Sequence, residues 1–191
     1  MKTQDEILKI RAAVLYILSK FQEGIDYIKL YKILYFAQQM HLVEYGVPII
    51  ATSFQAKKKG PVAGFVGSGI QRINEGGSVP AGFRLFAEGI ETDQTASIEK
   101  IFSKESPDME ELSISNVRCL DCFINKFHDM DSETVSKISH EDTAWQRAWE
   151  RSKKDPQLSF ITLLEMAEAG GASKDTLFHI KENLELDEFL K

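Results

Sequence analysis

Asp26-Tyr-Ile-Lys-Leu-Tyr-Lys-Ile-Leu-Tyr-Phe-Ala-Gln-Gln-Met-His41, continuing to Gln55-Ala-Lys-Lys-Lys-Gly-Pro-Val62, is the stretch whose reading decides the fold. One apolar stripe runs through Leu30, Ile33, Leu34, Ala37 and His41. A second, Tyr27, Tyr31, Tyr35, Gln38, Leu42 and Tyr45, repeats at three- and four-residue spacing on a different face. A helix apolar on one side sits on a surface, whereas one with two such faces is packed on both. The spacing predicts a central helix over about 26–45, roughly 30 Å long. Beyond Gly46 and Pro48 the helical period stops, and residues 49–56 read as a short strand with β-branched and aromatic content. Lys57 to Gly60 reads as a charged turn. Pro61 reads as the first residue of a new helix, with Val62, Phe65, Val66, Ile70 and Ile73 on one face. Gly64, Gly67 and Gly69 inside that helix each cost about 0.5–1 kcal/mol against Ala, so either a close neighbour explains them or the helix frays.

Working outward, Thr3-Gln-Asp-Glu6 has the form of a capping box and opens a first helix to about Phe21, with Ile7, Ile10, Val14 and Ile17 on its buried face and Gly24 as its stop. Phe83, Leu85 and Ala87 alternate, which predicts a strand over 83–90 able to pair with 49–56. Ile98, Ile101 and Phe102 suggest a helix over 93–103, and Ser106-Pro-Asp108 a loop. Val117, Leu120, Phe123, Ile124 and Phe127 define a helix over about 116–128, and a helical turn with Val135 and Ile138 follows Asp131-Ser132. Ser139-His-Glu-Asp142 is a further cap, opening a helix that carries Trp145 and Trp149 on one side. Asp155-Pro156 starts another through Leu158, Ile161, Leu164 and Ala167, ended by Gly170-Gly171, and Ser173 caps a last one. The acidic tail with Leu184, Phe189 and Leu190 is either a docked helix or a mobile end. The fold class is therefore mainly α: a single multi-helix domain over 1–191 around the central helix, with a small β element.

The 191 residues, 43% hydrophobic and 27% charged, suffice for one domain with a full core. No apolar signal segment opens the chain and the longest apolar run, Ala12 to Leu18, is far short of the ~20 residues of a membrane span, so a cytoplasmic protein with no membrane partner is expected. A net charge of -6 argues against broad attraction to nucleic acid, while leaving room for a local basic patch. Lys57, Lys58 and Lys59 are the one compact basic cluster. They form either a solvated turn or, with Lys29 and Lys32, a positive surface for an acidic partner or a nucleic-acid backbone.

Catalysis is not expected. The chain has no Gly-x-Ser-x-Gly elbow, and its Gly64-x-x-Gly67-x-Gly69 lacks the spacing and Lys-Ser/Thr of a phosphate loop. His140, Glu141 and Asp142 fit a helix cap better than an acid/base group. Cys119 and Cys122, three apart within an amphipathic helix, match no zinc arrangement with His128 and His140, so neither a metal nor another cofactor is expected. The tyrosine stripe reads as core residues whose hydroxyls reach the surface, and Trp149 as a partial anchor for another protein.

Two separated motifs, Lys29-Leu-Tyr-Lys-Ile-Leu-Tyr-Phe-Ala-Gln38 followed by Ala56-Lys-Lys-Lys-Gly-Pro-Val62, and much later Ile138-Ser-His-Glu-Asp-Thr-Ala-Trp145, together resemble the Panacea domain family, also called the SocA-like antitoxin or GepA-type phage-associated family. The resemblance spans about residues 5–150, leaving 151–191 as C-terminal helices outside it. It implies a mostly helical, non-enzymatic protein of bacteria and phages, the antitoxin of a two-gene toxin–antitoxin pair. Its partner would be a cognate toxin encoded by an adjacent gene, neutralised by direct contact. The type member is a proteolytic adaptor, which adds a protease as a further partner. Family motif positions carried over are Lys32, Leu34, Tyr35, Gly60, Pro61, Val62, His140 and Trp145. Where the family has an aromatic after the Ala that precedes Gly-Pro-Val, this chain has Lys57. The alternative function is a DNA-binding regulator of winged-helix type, using residues 5–45 and the lysine turn. If the two motifs form one unit, Trp145 or His140 packs near the central helix or the Gly60-Pro61 turn.

Overall fold

The computed structural model describes residues 2–95 and 99–189. Its described elements are α1 (Gln4–Leu18), β1 (Ile25–Asp26), α2 (Tyr27–Tyr45), β2 (Phe54–Lys57), β3 (Gly60–Ala63), α3 (Gly64–Glu75), α4 (Ala81–Glu88), β4 (Ile90–Asp93) and β5 (Lys100–Ser103). They continue with α5 (Ile114–Phe127), α6 (Ser132–His140), α7 (Thr143–Lys154), β6 (Phe160–Ile161), α8 (Leu163–Ala169) and α9 (Lys174–Phe189). The protein is mainly α, as expected.

Helix α1 starts at the expected capping box, the Glu6 N–H donating to the Thr3 hydroxyl at 3.2 Å while the Glu6 carboxylate accepts the Thr3 N–H at 2.7 Å. Every residue from Ala12 to Leu18 is buried, so that run can be uniformly apolar. Helix α2 begins at Asp26, which accepts the Lys29 N–H at 3.0 Å, and ends at Gly46 in the left-handed conformation that only glycine adopts cheaply. Both stripes are buried along its middle, from Leu30 to Tyr35 and at Ala37, Gln38, His41 and Leu42; Tyr27 and Tyr45 reach the surface at its ends. α1, α5, α6, α8 and β3 pack against it. Buried Gln38 joins α2 to the segment that follows, donating to the Ile50 carbonyl at 3.2 Å and accepting its N–H at 3.0 Å. Two three-stranded antiparallel sheets complete the fold, ordered β1-β5-β4 and β3-β2-β6.

Several local expectations are corrected. Residues 83–90 do not pair with 49–56: Phe83 and Phe86, three apart, lie on one face of α4 and pack on Phe65 with ring centroids 4.8 and 5.7 Å away. The strand within 49–56 is β2, which pairs instead with β3 and β6. Pro61 opens no helix. It sits in edge strand β3, where a missing N–H costs no ladder bond, and α3 starts at Gly64. The close neighbour that explains a helical glycine is Phe86, whose ring carbons would lie 2.5 Å from a Cβ at Gly69. The helix proposed over 93–103 is replaced by β4 and β5, where Ile101 is buried between Ile25 and Thr92; Ile98 lies outside the described residues. Pro156 begins a single 3₁₀ turn, and Phe160 and Ile161 join β2 before α8 starts. α1 ends at Leu18, short of Phe21. The tail is helical to Phe189 with Ile180 buried, and Leu190 lies outside the described residues.

Candidate functional site

The two sequence motifs meet in space. Strands β2 and β3 form a hairpin in which Lys57 pairs with Gly60, leaving Lys58 and Lys59 as its turn, and all three lysines are exposed. Gly60 has φ +99°, outside the range of L side chains, and a Cβ there would overlap the Ser139 hydroxyl and lie 2.6 Å from Lys32 Cε. Glycine is therefore required twice over, by conformation and by space.

The backbone of this turn is held from below by three side chains. The Trp145 indole N–H donates to the Lys57 carbonyl at 3.2 Å, the Ser136 hydroxyl to the Lys59 carbonyl at 3.0 Å, and Lys32 Nζ to the Pro61 carbonyl at 3.1 Å. His140 stacks on Trp145 at 4.3 Å and 17°, and Trp149 stacks on it at 5.8 Å and 10°. The His140 Nε2 atom is buried without a hydrogen-bond partner among the described residues. Burial and the nearby Lys32 charge lower the His140 pKa, against a contact with the Lys58 backbone that raises it.

Asp142 ties this layer to the central helix. Its Oδ1 accepts the Tyr35 hydroxyl at 2.7 Å and the Trp145 N–H at 2.8 Å, and its Oδ2 accepts the Gln39 amide at 2.7 Å. It is thus the N-cap of α7 and the anchor of two α2 side chains, so His140 and Asp142 serve as parts of a brace. Burial, then the Asp142 charge, pushes the Tyr35 phenol well above its ordinary pKa.

Lys32, expected to share a positive surface with Lys29 and the lysine turn, is instead only 1% exposed. Desolvation lowers its pKa to about 7. Lys29 donates to the His128 carbonyl at 3.1 Å, at the C-terminus of α5, so the basic surface reduces to the hairpin tip. Val62 is half-buried on β3 beside Gly67. Sequence reasoning missed Ser136 and Gln39 and read Ser139 as a helix cap, whereas Ser139 lies within α6 and Asp142 caps α7; the available signal was two serines three apart on the face of α6 that carries Val135. Cys119 is buried, which raises its thiol pKa, and Cys122 is exposed. Among the described residues no cluster of His, Cys, Asp and Glu could hold a metal ion, and no helix is long and apolar enough to cross a membrane.

The family model described as antitoxin SocA-like, Panacea domain, matches residues 30–146, a span that contains both motifs and the whole brace. No curated protein and no solved structure matches the chain.

Proposed function

Because the chain belongs to the SocA-like, Panacea-domain antitoxin family, we propose that it neutralises a cognate toxin, encoded by an adjacent gene, through direct protein contact in which the Lys57–Lys59 hairpin takes part. The observation that carries this reading is the grip on the hairpin: three carbonyls, those of Lys57, Lys59 and Pro61, are each held by a side chain of α7, α6 or α2. A turn fixed in this way loses little conformational freedom on binding, and three exposed ammonium groups steer an acidic partner. Asp142 supports a binding role over a catalytic one, since both its oxygens are occupied by protein donors. A protease that receives the toxin from this adaptor is the further partner of the same reading.

Co-expression with the product of the neighbouring gene tests it. The neighbour is expected to be toxic alone, to be harmless with this protein, and to co-purify with it. Replacing Lys57, Lys58 and Lys59 together by Glu is expected to abolish protection with the melting temperature unchanged, since all three side chains are exposed. A harmless neighbour, the absence of a complex, or full protection by the triple variant would each overturn the reading. If the adaptor role holds, the toxin level falls in cells only while the protease is present.

The same exposed lysine hairpin favours a second reading, a DNA-binding regulator in which it acts as the wing. The burial of Lys32 removes the helical half of that basic surface. A mobility shift on the promoter of its own gene that weakens steeply with salt would support this reading.

A further inference from the structure

Away from the hairpin, the first turns of α2 and the outer face of α3 enclose an open cleft of about 340 Å³, lined by Tyr27, Tyr31, Gly67, Ile70, Asn74 and Glu99 among others. Its chemistry is one-sided. The Tyr31 side chain is buried, with the residue only 6% exposed, and lines the cleft with its hydroxyl beside Gly67. Asn74 donates its amide to Glu99, while its own Oδ1 is buried without a partner among the described residues. Glu99 forms no ion pair with any lysine or arginine among the described residues; neighbouring Lys100 turns away to the Glu23 carbonyl at 2.8 Å. Glu75, at the rim, is taken up by Arg72 at 3.1 Å and Gln71 at 2.9 Å. The rings of Tyr27 and Tyr31 stand at 6.0 Å and 53° to each other, forming an aromatic wall.

A carboxylate without an ion-pair partner among the described residues and two electron-rich rings describe the complement of a planar cation with several N–H donors. We propose that this cleft is a socket for an arginine side chain of a partner protein, its guanidinium donating to Glu99 and lying against Tyr27 and Tyr31. The helical glycine at 67 acquires a role on this account. A Cβ there would come within 3.2 Å of Val62 Cγ1 and 3.4 Å of the Tyr31 hydroxyl, so glycine keeps the floor of the socket open. Burial and then the charge of Glu99 both raise the Tyr31 phenol pKa, which keeps its hydroxyl a proton donor beside that carboxylate. The socket stands independently of the antitoxin reading, because its test requires no toxin.

The test is an NMR titration of the full ¹⁵N-labelled chain with N-acetyl-arginine-N-methylamide, and in parallel with its citrulline counterpart, which has the same shape and no charge. Saturable shifts of the Asn74 and Gln71 side-chain amides are expected with the arginine compound and not with the citrulline one. Glu99→Gln is expected to weaken binding about tenfold, the loss of one charge-assisted hydrogen bond. Gly67→Ala is expected to weaken binding in a variant that circular dichroism shows to be folded, because its Cβ would lie 3.2 Å from Val62 Cγ1 and 3.4 Å from the Tyr31 hydroxyl. Wild-type affinity in that folded variant would show that the glycine does not shape the socket. Shifts that stay linear with ligand, equal responses to arginine and citrulline, or wild-type affinity in Glu99→Gln would overturn the proposal.

Discussion

At the scale of single residues, Lys32 is the most consequential departure from the sequence pattern. A lysine on the inner face of α2 is only 1% exposed and its ammonium meets a carbonyl oxygen, with no carboxylate bonded to it among the described residues. Desolvation, opposed by Asp26 and reinforced by Lys59, lowers its pKa to about 7 from an ordinary 10.5. Between those two values the unfolded chain holds a proton that the folded chain has released, so stability rises with pH, with a slope approaching roughly 1.4 kcal/mol per pH unit. Below the lower value both states are protonated and the slope vanishes. Chemical denaturation at pH 7, 8 and 9 is therefore expected to show wild type gaining stability relative to Lys32→Met as pH rises; parallel curves would mean the lysine keeps its proton in the fold. Gly60 is a second consequential residue, one that the motif did mark. Gly60→Ala combines a left-handed backbone with overlap on Ser139 and Lys32, and is expected to cost about 2–5 kcal/mol, read from the shift in denaturation midpoint.

At the scale of elements, the hairpin depends on a helix almost ninety residues away in sequence. Trp145→Phe keeps a ring to stack on His140 and Trp149 but removes the donor to the Lys57 carbonyl. The expected cost is about 1 kcal/mol, with faster amide exchange at Lys58 and Lys59 while the amides of α2 remain protected. Unchanged exchange at the turn would show that the indole bond does not hold it. This dependence explains what was legible in the sequence. Local signals were readable because they act locally: the caps at Thr3, Asp26, Asp131 and Ser173 all stand where their side chains accept the expected N–H groups, whereas the pattern at Ser139–Asp142 caps α7 through Asp142 and leaves Ser139 inside α6. The two stripes of α2 were readable because both are buried. Strand pairing was not, since β6 is two residues long and acquires its identity only from Phe54 and Gln55 opposite it. Phe83 and Phe86 satisfied helical spacing as readily as Phe83, Leu85 and Ala87 satisfied alternation, and only the packing on Phe65 decides between them. Within the site, His140, Trp145 and Gly60 were legible as motif positions, and Lys57 as a departure from the motif. Ser136, Ser139 and Gln39 were not, because a polar side chain reveals its partner only once the chain has folded back.

At the scale of the whole molecule, the family match ends at residue 146, yet the packing does not. β6 is the third strand of the sheet that carries the hairpin, α8 packs on α2, and Arg151 pairs with Glu165 at 2.5 Å across the connection. Ile161, Met166 and Ala167 are buried in that region, whereas α9 beyond it buries Ile180 and leaves Phe178, Leu186 and Phe189 exposed. Each large apolar side chain returned to water forfeits roughly 1.5–3 kcal/mol, set against a typical total stability of about 5–15 kcal/mol. We propose that residues 151–173 belong to the same folding unit as the matched region and that α9 is an addition to it. A chain ending at residue 150 is accordingly expected to lose its cooperative melting transition by circular dichroism, because β2 loses a strand partner and α2 loses its cover from α8. A chain ending at residue 173 is expected to melt cooperatively at a moderately lower temperature, having lost chiefly the burial of Ile180. If the shorter chain melts as sharply as the full one, residues 151–173 are an appendage, and the hairpin is mounted entirely from within the matched region by Lys32, Ser136 and Trp145.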